Sequence, residues 1–517
     1  MQMQLQSKSG HATNLTVLLT LCLGVFVVNV STTIVNIALP TLVRSLDAST
    51  RDLLWIVDAF NLAFAALVLA AGSLSDRFGR RAALLLGLTL FAGASLFGAW
   101  STDSNALIAW RAVAGIAAAV VYPVTLSILT NVFTERNERV KAIGIWGAAT
   151  GLSVAVGPVV GGALVENFWW GSILVFNGAA AVVTLLLALR YIPDSRDPST
   201  PPLDVIGLVL STLMLGTLVY TIIEAPDRGW ASNATLTGFG LSALFLVVFV
   251  FQERRVEHPM LDVRLFGNLR FTAASGAVTS AFFALFGFIF LVTQYFQSVR
   301  DYGALETGVR MLPVALFIAA SALLGPRVAV IVGSKAVVAA GLMSLSVAFG
   351  WSATVGADTP YLVIVGQMAL LGTGLGLTSA PATEAIMGVV SPEKAGMGSA
   401  VNDATRELGG TLGVAVLGSV ALSAYRDSLV GTDAPQVLVE PARESIGAAV
   451  IASEQASGMG AEARVAGEQL LDLARSGFMD GFSVGCMVAS AVALVAAVLT
   501  VVYLPAHPSE PAPKLLI

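Results

Sequence analysis

Charge is scarce in this chain. Only 12% of its 517 residues are Asp, Glu, Lys or Arg, about half the share of an ordinary soluble domain. With 56% hydrophobic residues and a mean hydropathy of +0.82, a water-soluble fold is excluded. No domain of this length has interior enough for that much apolar surface, and the bilayer is the solvent it fits. Cysteine is nearly absent. Cys22 and Cys486 both lie inside apolar runs, which excludes a disulfide framework and leaves no thiol cluster for zinc. The three histidines, His11, His258 and His507, sit outside those runs. With no Cys/His metal spacing and no nucleophile elbow, nothing points to an enzyme, a metal or a cofactor. There is no phosphate-cradling G-x-x-x-x-G-K-[ST], which argues against a self-contained ATP-driven pump. The net charge of −5 offers no basic surface for nucleic acid. Lysine is rare as well, 5 residues against 23 arginines, a balance that with abundant Ala and Gly hints at a GC-rich bacterial gene.

What is present is a series of long apolar runs. A membrane-spanning helix needs about 20 such residues. Eleven runs free of charge meet that length, from the stretch between His11 and Arg44 to the one beyond Asp480. Three more contain a charge: 52–74 with Asp58, 304–327 with Arg310 and Pro313, and 396–425 with Asp403, Arg406 and Glu407. The first run follows a short polar start without an A-x-A-like cleavage site, so it reads as a retained helix. The fold class is therefore an all-α polytopic membrane protein with fourteen spans, and an even number places both termini on one side. One set of loops and tails holds 17 Lys and Arg, including Arg77, Arg80, Arg81, Lys141, Arg254, Arg327, Lys335, Lys394 and Lys514; the short loops of the other set hold 5. The richer side is expected to be cytoplasmic in a cell membrane. Trp55, Trp100, Trp110, Trp169, Trp170, Trp230 and Trp351 fall near the expected outer ends, as an aromatic belt does.

The organisation follows. Residues 1–14 form an N-terminal tail, 15–191 a first six-helix half, 192–268 a linker with two inserted helices, 269–505 a second six-helix half, and 506–517 a C-terminal tail. The second half includes a long outer loop, 426–476, with four Arg and eight Asp/Glu. It reads either as a solvated hairpin, with an amphipathic helix possible at 461–476, or as an acidic vestibule for cations. A weak repeat links the halves: Gly79-Arg80 after span 2 and Gly333-Ser-Lys335 after span 10 keep a glycine and a following base at a similar place. Halves related by an axis along the membrane normal suit alternating access.

Several motifs carry a resemblance. Gly72-Ser-Leu-Ser-Asp76-Arg77-Phe-Gly79-Arg80-Arg81 resembles the signature loop of the major facilitator superfamily. Gly144-x-x-Gly147-x-x-x-Gly151 followed by Gly157-Pro158-x-x-Gly161-Gly162 is similar to the antiporter motif of its drug:proton branch. Thr33-Ile-Val-Asn36-Ile-Ala-Leu-Pro40 and Ser399-Ala-Val-Asn402 through Arg406-Glu-Leu-Gly409-Gly410 resemble the fourteen-helix, quaternary-ammonium-exporter-like family. The resemblance implies a cytoplasmic loop that latches the halves while the outside is open. It also implies a kinked span 5 that favours exchange over leak. The residues agree in kind: glycines permit tight turns and close helix approach, Asp76 can accept charge-assisted hydrogen bonds, and Pro158 removes a backbone hydrogen bond. The bland alternatives are basic residues that only fix topology and glycines that only pack.

Ionisable groups inside spans are costly and are functional candidates by default. Asp58, Arg111 and Ser31 each lie about six residues, roughly 9 Å, from the outer end of their spans. Family members usually carry an aspartate at the position of Ser31, so Asp58 beside Arg111 is expected to take over proton coupling, or else to form a permanent ion pair. Asp403, Arg406 and Glu407 share a face of span 13, with Glu384 expected at similar depth; they contact a proton or a cationic substrate, or are merely interfacial. Glu224 is interfacial or a gate residue. Phe282, Phe286 and Phe290 recur every fourth residue before Gln294, as lipid-facing aromatics or as the wall of a cavity that Ser31, Asn36, Asn61 and Arg406 also line. The function expected from the resemblance is proton-coupled multidrug efflux, with antibiotic resistance as its consequence, acting on small lipophilic and cationic compounds as a monomer among membrane lipids. The alternatives are export of an endogenous lipid or secreted metabolite and, less in keeping with the buried charges, a non-transporting membrane sensor.

Overall fold

The computed structural model describes residues 2–196, 204–389, 395–429 and 436–505, with no side-chain description for residues 2–13, Ser73, Asp76, Arg136, Asn137, Val140, 395–397, 399–400, 436–438 or Ala461. Lys394, Lys514 and the expected tail 506–517 lie outside the described residues. Among those described there is no strand, and fourteen helices are long and apolar enough to cross a membrane, the number expected from the apolar runs.

The first six are α1 (Gln2–Leu46), α2 (Thr50–Phe78), α3 (Arg80–Ala99), α4 (Ser104–Val132), α5 (Arg136–Asn167) and α6 (Ser172–Tyr191). The inserted pair is α7 (Val205–Arg228) and α8 (Asn233–Arg255). The last six spans run from α9 (Leu269–Gln294) through α10 (Ala304–Arg310), α11 (Leu312–Val332), α12 (Ser334–Ser352), α13 (Tyr361–Met387) and α14 (Ala395–Ser428) to α17 (Ala461–Tyr503). Helices α10 and α11 make one span with a break at Met311. Pro313 causes it, because a ring without an N–H starts a helix but does not continue one.

The two six-helix halves pack by one scheme. α2 lies on α4 as α11 lies on α13, α1 on α5 as α9 on α14, and α3 on α6 as α12 on α17. The fifth span of each half crosses to the second span of the other, α5 to α10 and α14 to α2. The loop repeat has a physical basis too. Gly79 alone joins α2 to α3 at φ +120°, and Gly333 alone joins α11 to α12 at φ +89°. A side chain is strained in that region, which is why both corners are glycine.

The segment 426–476 is not a solvated hairpin. Its described part is helical: α14 runs on to Ser428, α15 (Gln436–Glu444) and α16 (Ile446–Ser457) follow, and α17 begins at Ala461. Ala442, Ile446, Ala449, Ala452, Ala456, Leu470 and Ala474 are buried. The acids misled the reading, since they occupy the outer faces of helices whose small apolar residues recur at 3–4-residue spacing and pack inward. α15 and α16 mark what we term the cap end of the bundle; Gly79 and Gly333 mark the latch end.

Candidate functional site between the two halves

Along α5 the halves touch at the cap end, on α10, and part at the latch end, from α11. Across the halves, a methyl group at Gly162 would overlap the backbone of Ala304 and Leu305; within the first half, one at Gly157 would overlap the Thr33 side chain and one at Gly161 the Ile34 side chain. Gly308 of α10 meets the backbone of Pro158 in return. Glu166 accepts a 2.9 Å hydrogen bond from the Leu305 N–H, and Gln297 donates to the Ile37 carbonyl at 3.0 Å. At the other end of α5, Gly144, Gly147 and Gly151 are exposed, and a methyl on any of them meets nothing within 4 Å. Val328, Val330, Ile331 and Val332 of α11 are exposed as well. The expected glycine seam is therefore close-packed in its second part only. The reason is that the two helices diverge from their crossing near Pro158.

Two basic residues of the glycine loop at the latch end bond the first half and the linker that follows it. Arg81 donates to the Leu189 carbonyl at 2.7 Å, and the Arg80 N–H donates to the Ser195 carbonyl at 2.9 Å. Gly72 packs on Pro123, and Arg77 is exposed with its guanidinium over the Phe78 ring.

Arg111 of α4 is almost wholly buried but does not pair with Asp58. Its Nε donates to the Ile56 carbonyl and an Nη to the Ser31 hydroxyl, both at 2.9 Å, and its carbon lies 4.4 Å from the Phe60 ring centre. The expected meeting of three residues reduces to two. Equal depth was read correctly, but rotation decides. Asp58 stands one turn on from Leu54, on the side of α2 against Gly418 of α14, whereas Arg111 reaches the side facing α1. Asp58 is fully buried, and neither carboxyl oxygen has a hydrogen-bond partner. Asn61, three residues on, is equally buried and equally unpartnered. Asn36 donates to the Thr32 carbonyl at 3.1 Å and leaves its own oxygen unpaired.

Toward the latch end, Asp403 is buried and Arg406 and Glu407 are half-buried on α14. Arg406 lies 5.3 Å over the Phe282 ring and donates to Thr383 at 3.3 Å; Thr383 donates to Asn402 at 2.9 Å. The Arg406 Nε and one Glu407 oxygen are buried without partners. Glu384 does not join them. It is exposed, and its neighbour Thr383 makes the contact with α14 instead, because successive helical residues point about 100° apart. Phe286 and Phe290 are buried in packing against Gly410 and Gly418 rather than facing lipid. Gln294 is buried and donates to the Phe290 carbonyl. Of the aromatic row, Phe282 alone reaches the charged cluster.

Two residues of this site went unread in the sequence. Tyr122 of α4 lies within electrostatic reach of Asp403, Arg406 and Glu407 across the interface. It stacks edge-on with Trp146 at 5.3 Å, and Phe64 lies 5.6 Å away on its other side. Trp146 donates to Thr125 at 3.1 Å. An aromatic inside an apolar run reads as lipid-facing or core; the usable signal was that Trp146 alone of the eight tryptophans lies far from an expected outer end.

Glu224 resolves as a buried bridge. It pairs with Arg51 of α2 at 2.7 Å and Arg228 at 3.3 Å, while Asp227 pairs with Arg426 of α14. Helix α7 is thus bound to both halves at the cap end.

The model of the Major Facilitator Superfamily matches residues 21–414. The chain is 32% identical to Multidrug resistance protein Stp of Mycobacterium tuberculosis over 493 residues, covering 94% of this chain and 91% of that protein. It is 32% identical to Multidrug efflux pump LfrA of Mycolicibacterium smegmatis, covering 92% and 94%. Among solved structures, a bacterial homologue of the human lysosomal transporter Spinster matches with a TM-score of 0.66 at 16% identity, covering 97% of this chain and 99% of that one, a likeness of fold alone.

Proposed function

This chain belongs to the Major Facilitator Superfamily and is a multidrug-type membrane transporter, not an enzyme; from that premise we propose that it exports lipophilic and cationic small molecules from the cytoplasm in exchange for protons. The latch end, with its many basic residues, faces the cytoplasm of the cell membrane, and both termini lie there. The arrangement is then an inward-open state of an alternating-access cycle, closed at the outer glycine seam.

One observation carries the coupling. Asp58 sits in the interface between α2 and α14, and among the described residues neither of its carboxyl oxygens has a hydrogen-bond partner or an ion pair. A bare carboxylate there is costly, by about 2.5–3.5 kcal/mol even on the mildest insertion scale. Holding a proton removes that cost in the closed interface, and parting α2 from α14 on the outer side rehydrates the group and opens it to proton exchange with the outside, the side from which an exchanger loads. Asp403 and Glu407 supply negative charge opposite Tyr122 and Trp146. A flat cation placed there gains from both the acids and the aromatic faces. Arg406 neutralises part of that charge, which suits neutral as well as cationic cargo.

Everted vesicles loaded with a proton-sensitive dye test this reading. Adding ethidium to acidified vesicles should evoke proton release with the wild type and none with Asp58→Asn. Glu407→Gln should weaken the response to ethidium more than to a neutral amphiphile. Full proton-linked transport by Asp58→Asn would refute the coupling assignment. Release evoked by bilayer lipids but by no drug would favour a lipid exporter.

A further inference from the structure

The inserted hairpin has two ends, and only the cap end has been given a chemistry. At the latch end, Asp204 caps the N-terminus of α7 and accepts a 2.8 Å hydrogen bond from the Gly207 N–H through Oδ1. Glu253, near the end of α8, accepts a 2.9 Å hydrogen bond from the Leu261 N–H through Oε2. Each carboxyl therefore has one oxygen occupied. The other two, Asp204 Oδ2 and Glu253 Oε1, are buried and have no donor. They converge. A methyl group built on Gly207 would strike both oxygens at once, and the two carboxyls lie within hydrogen-bonding distance of each other. Both residues are more than nine-tenths buried, at 8% and 2% exposure.

No base offsets this pair among the described residues. Arg254 and Arg255, next to Glu253 on α8, are exposed; Arg255 lies on the Phe251 ring, and the Arg254 carbonyl receives the Arg264 guanidinium. From the linker that packs on α8, the nearby charge is another carboxyl, Asp262, which caps the Arg264 N–H; Glu257 and His258 are exposed. Two ionised carboxylates in contact, away from water and without a cation, repel too strongly to persist, and one of such a pair keeps its proton. A carboxylic acid donating to a carboxylate satisfies both vacant oxygens with one hydrogen and forms a short, strong bond.

We propose that Asp204 and Glu253 hold one shared proton, which clasps the latch ends of α7 and α8 to each other and, through Leu261, to the linker leading into the second half. This is a proton-binding site on the inserted helices, apart from the central interface. It does not rest on the exporter reading. The clasp contributes to stability only while the proton is held, so its contribution is present at low pH and is lost once rising pH removes the proton.

The test is thermal unfolding of the full-length protein in detergent from pH 5 to 9, with and without Na+, Mg2+ or Ca2+. The wild type should lose several degrees of Tm across that range, with no rescue by any cation. Glu253→Gln presents an amide donor to the Asp204 carboxylate, and Asp204→Asn keeps the helix cap while offering its amide to Glu253. Each should hold the low-pH Tm and flatten most of the fall. Gly207→Ala should lower Tm at low pH, since its methyl displaces both oxygens. Infrared difference spectra should show a protonated-carboxyl band in the wild type that Glu253→Gln removes. An unchanged pH profile in both amide variants, or rescue of the high-pH wild type by a cation, would overturn the shared proton.

Discussion

The two parts of α5 contrast sharply. From Gly157 to Gly162 the helix is pressed against α1 and α10, so closely that an added methyl would meet side chain or backbone. From Gly144 to Gly151 the same small residues border open space. A motif that reads as one close-packed seam is, in this conformation, a closed seam and an unused one. The difference teaches that one run of small residues can serve close packing over part of its length and leave the rest without a partner. On the exchange cycle proposed above, the unused glycines are what an outward-open state would need for α5 to approach α11 at the latch end.

Substitutions along this axis break or sharpen the contrast. The largest effect is expected at Gly162→Leu, where the obstacle is the Ala304–Leu305 backbone and no rotamer relieves it. Overpacking of this kind costs about 1–3 kcal/mol or more. Ethidium efflux should disappear, and a cysteine at the cap end should become permanently reactive to a membrane-impermeant thiol reagent. Next comes Gly157→Ala. Its clash is with the Thr33 side chain, so efflux should fall about tenfold and Thr33→Ala should restore most of it. If the second substitution rescues nothing, the packing of α5 on α1 at Thr33 is not what limits transport.

Arg51→Ala probes the charged part of the same closure. Arg51 is half exposed and Glu224 is not, so the bridge is screened on one side and its loss should shift the conformational balance by about 1 kcal/mol, roughly fivefold. Cap-end thiol accessibility is again the readout, and high salt should reproduce part of the shift. Gly147→Ala is the smallest in stability terms. Replacing an exposed helical glycine should raise Tm slightly, by up to about 1 kcal/mol of helix propensity. Transport should nonetheless slow, because the methyl obstructs only the conformation not seen here. Unchanged transport with raised Tm would mean that the open glycines serve no second packing.

Much of this was legible in the sequence. Fourteen apolar runs give fourteen spans because a bilayer admits few alternatives for a chain so poor in charge. The glycine corners at 79 and 333 were readable as a repeat because only glycine fits their backbone. Rotation was not readable. Asp58 and Arg111 sit at equal depth, yet one faces α14 and the other α1, and a phase error of one residue also exchanges Glu384 for Thr383. Helices hydrophobic all round give no moment from which to fix the phase. The helical cap of residues 436–457 was hidden for another reason. Its buried face is alanine, which lifts hydropathy little, while Glu440, Glu444 and Glu454 dominate the composition.

Arg111 has a mechanical meaning as well. One guanidinium, bonded to the backbone of α2 and the hydroxyl of Ser31 on α1 while rooted in α4, rivets three spans into a single stiff plate. A plate that does not flex concentrates all its compliance at the edges. Gly162 and the carboxyl of Asp58 lie along those edges, where α10 and α14 of the second half meet the first.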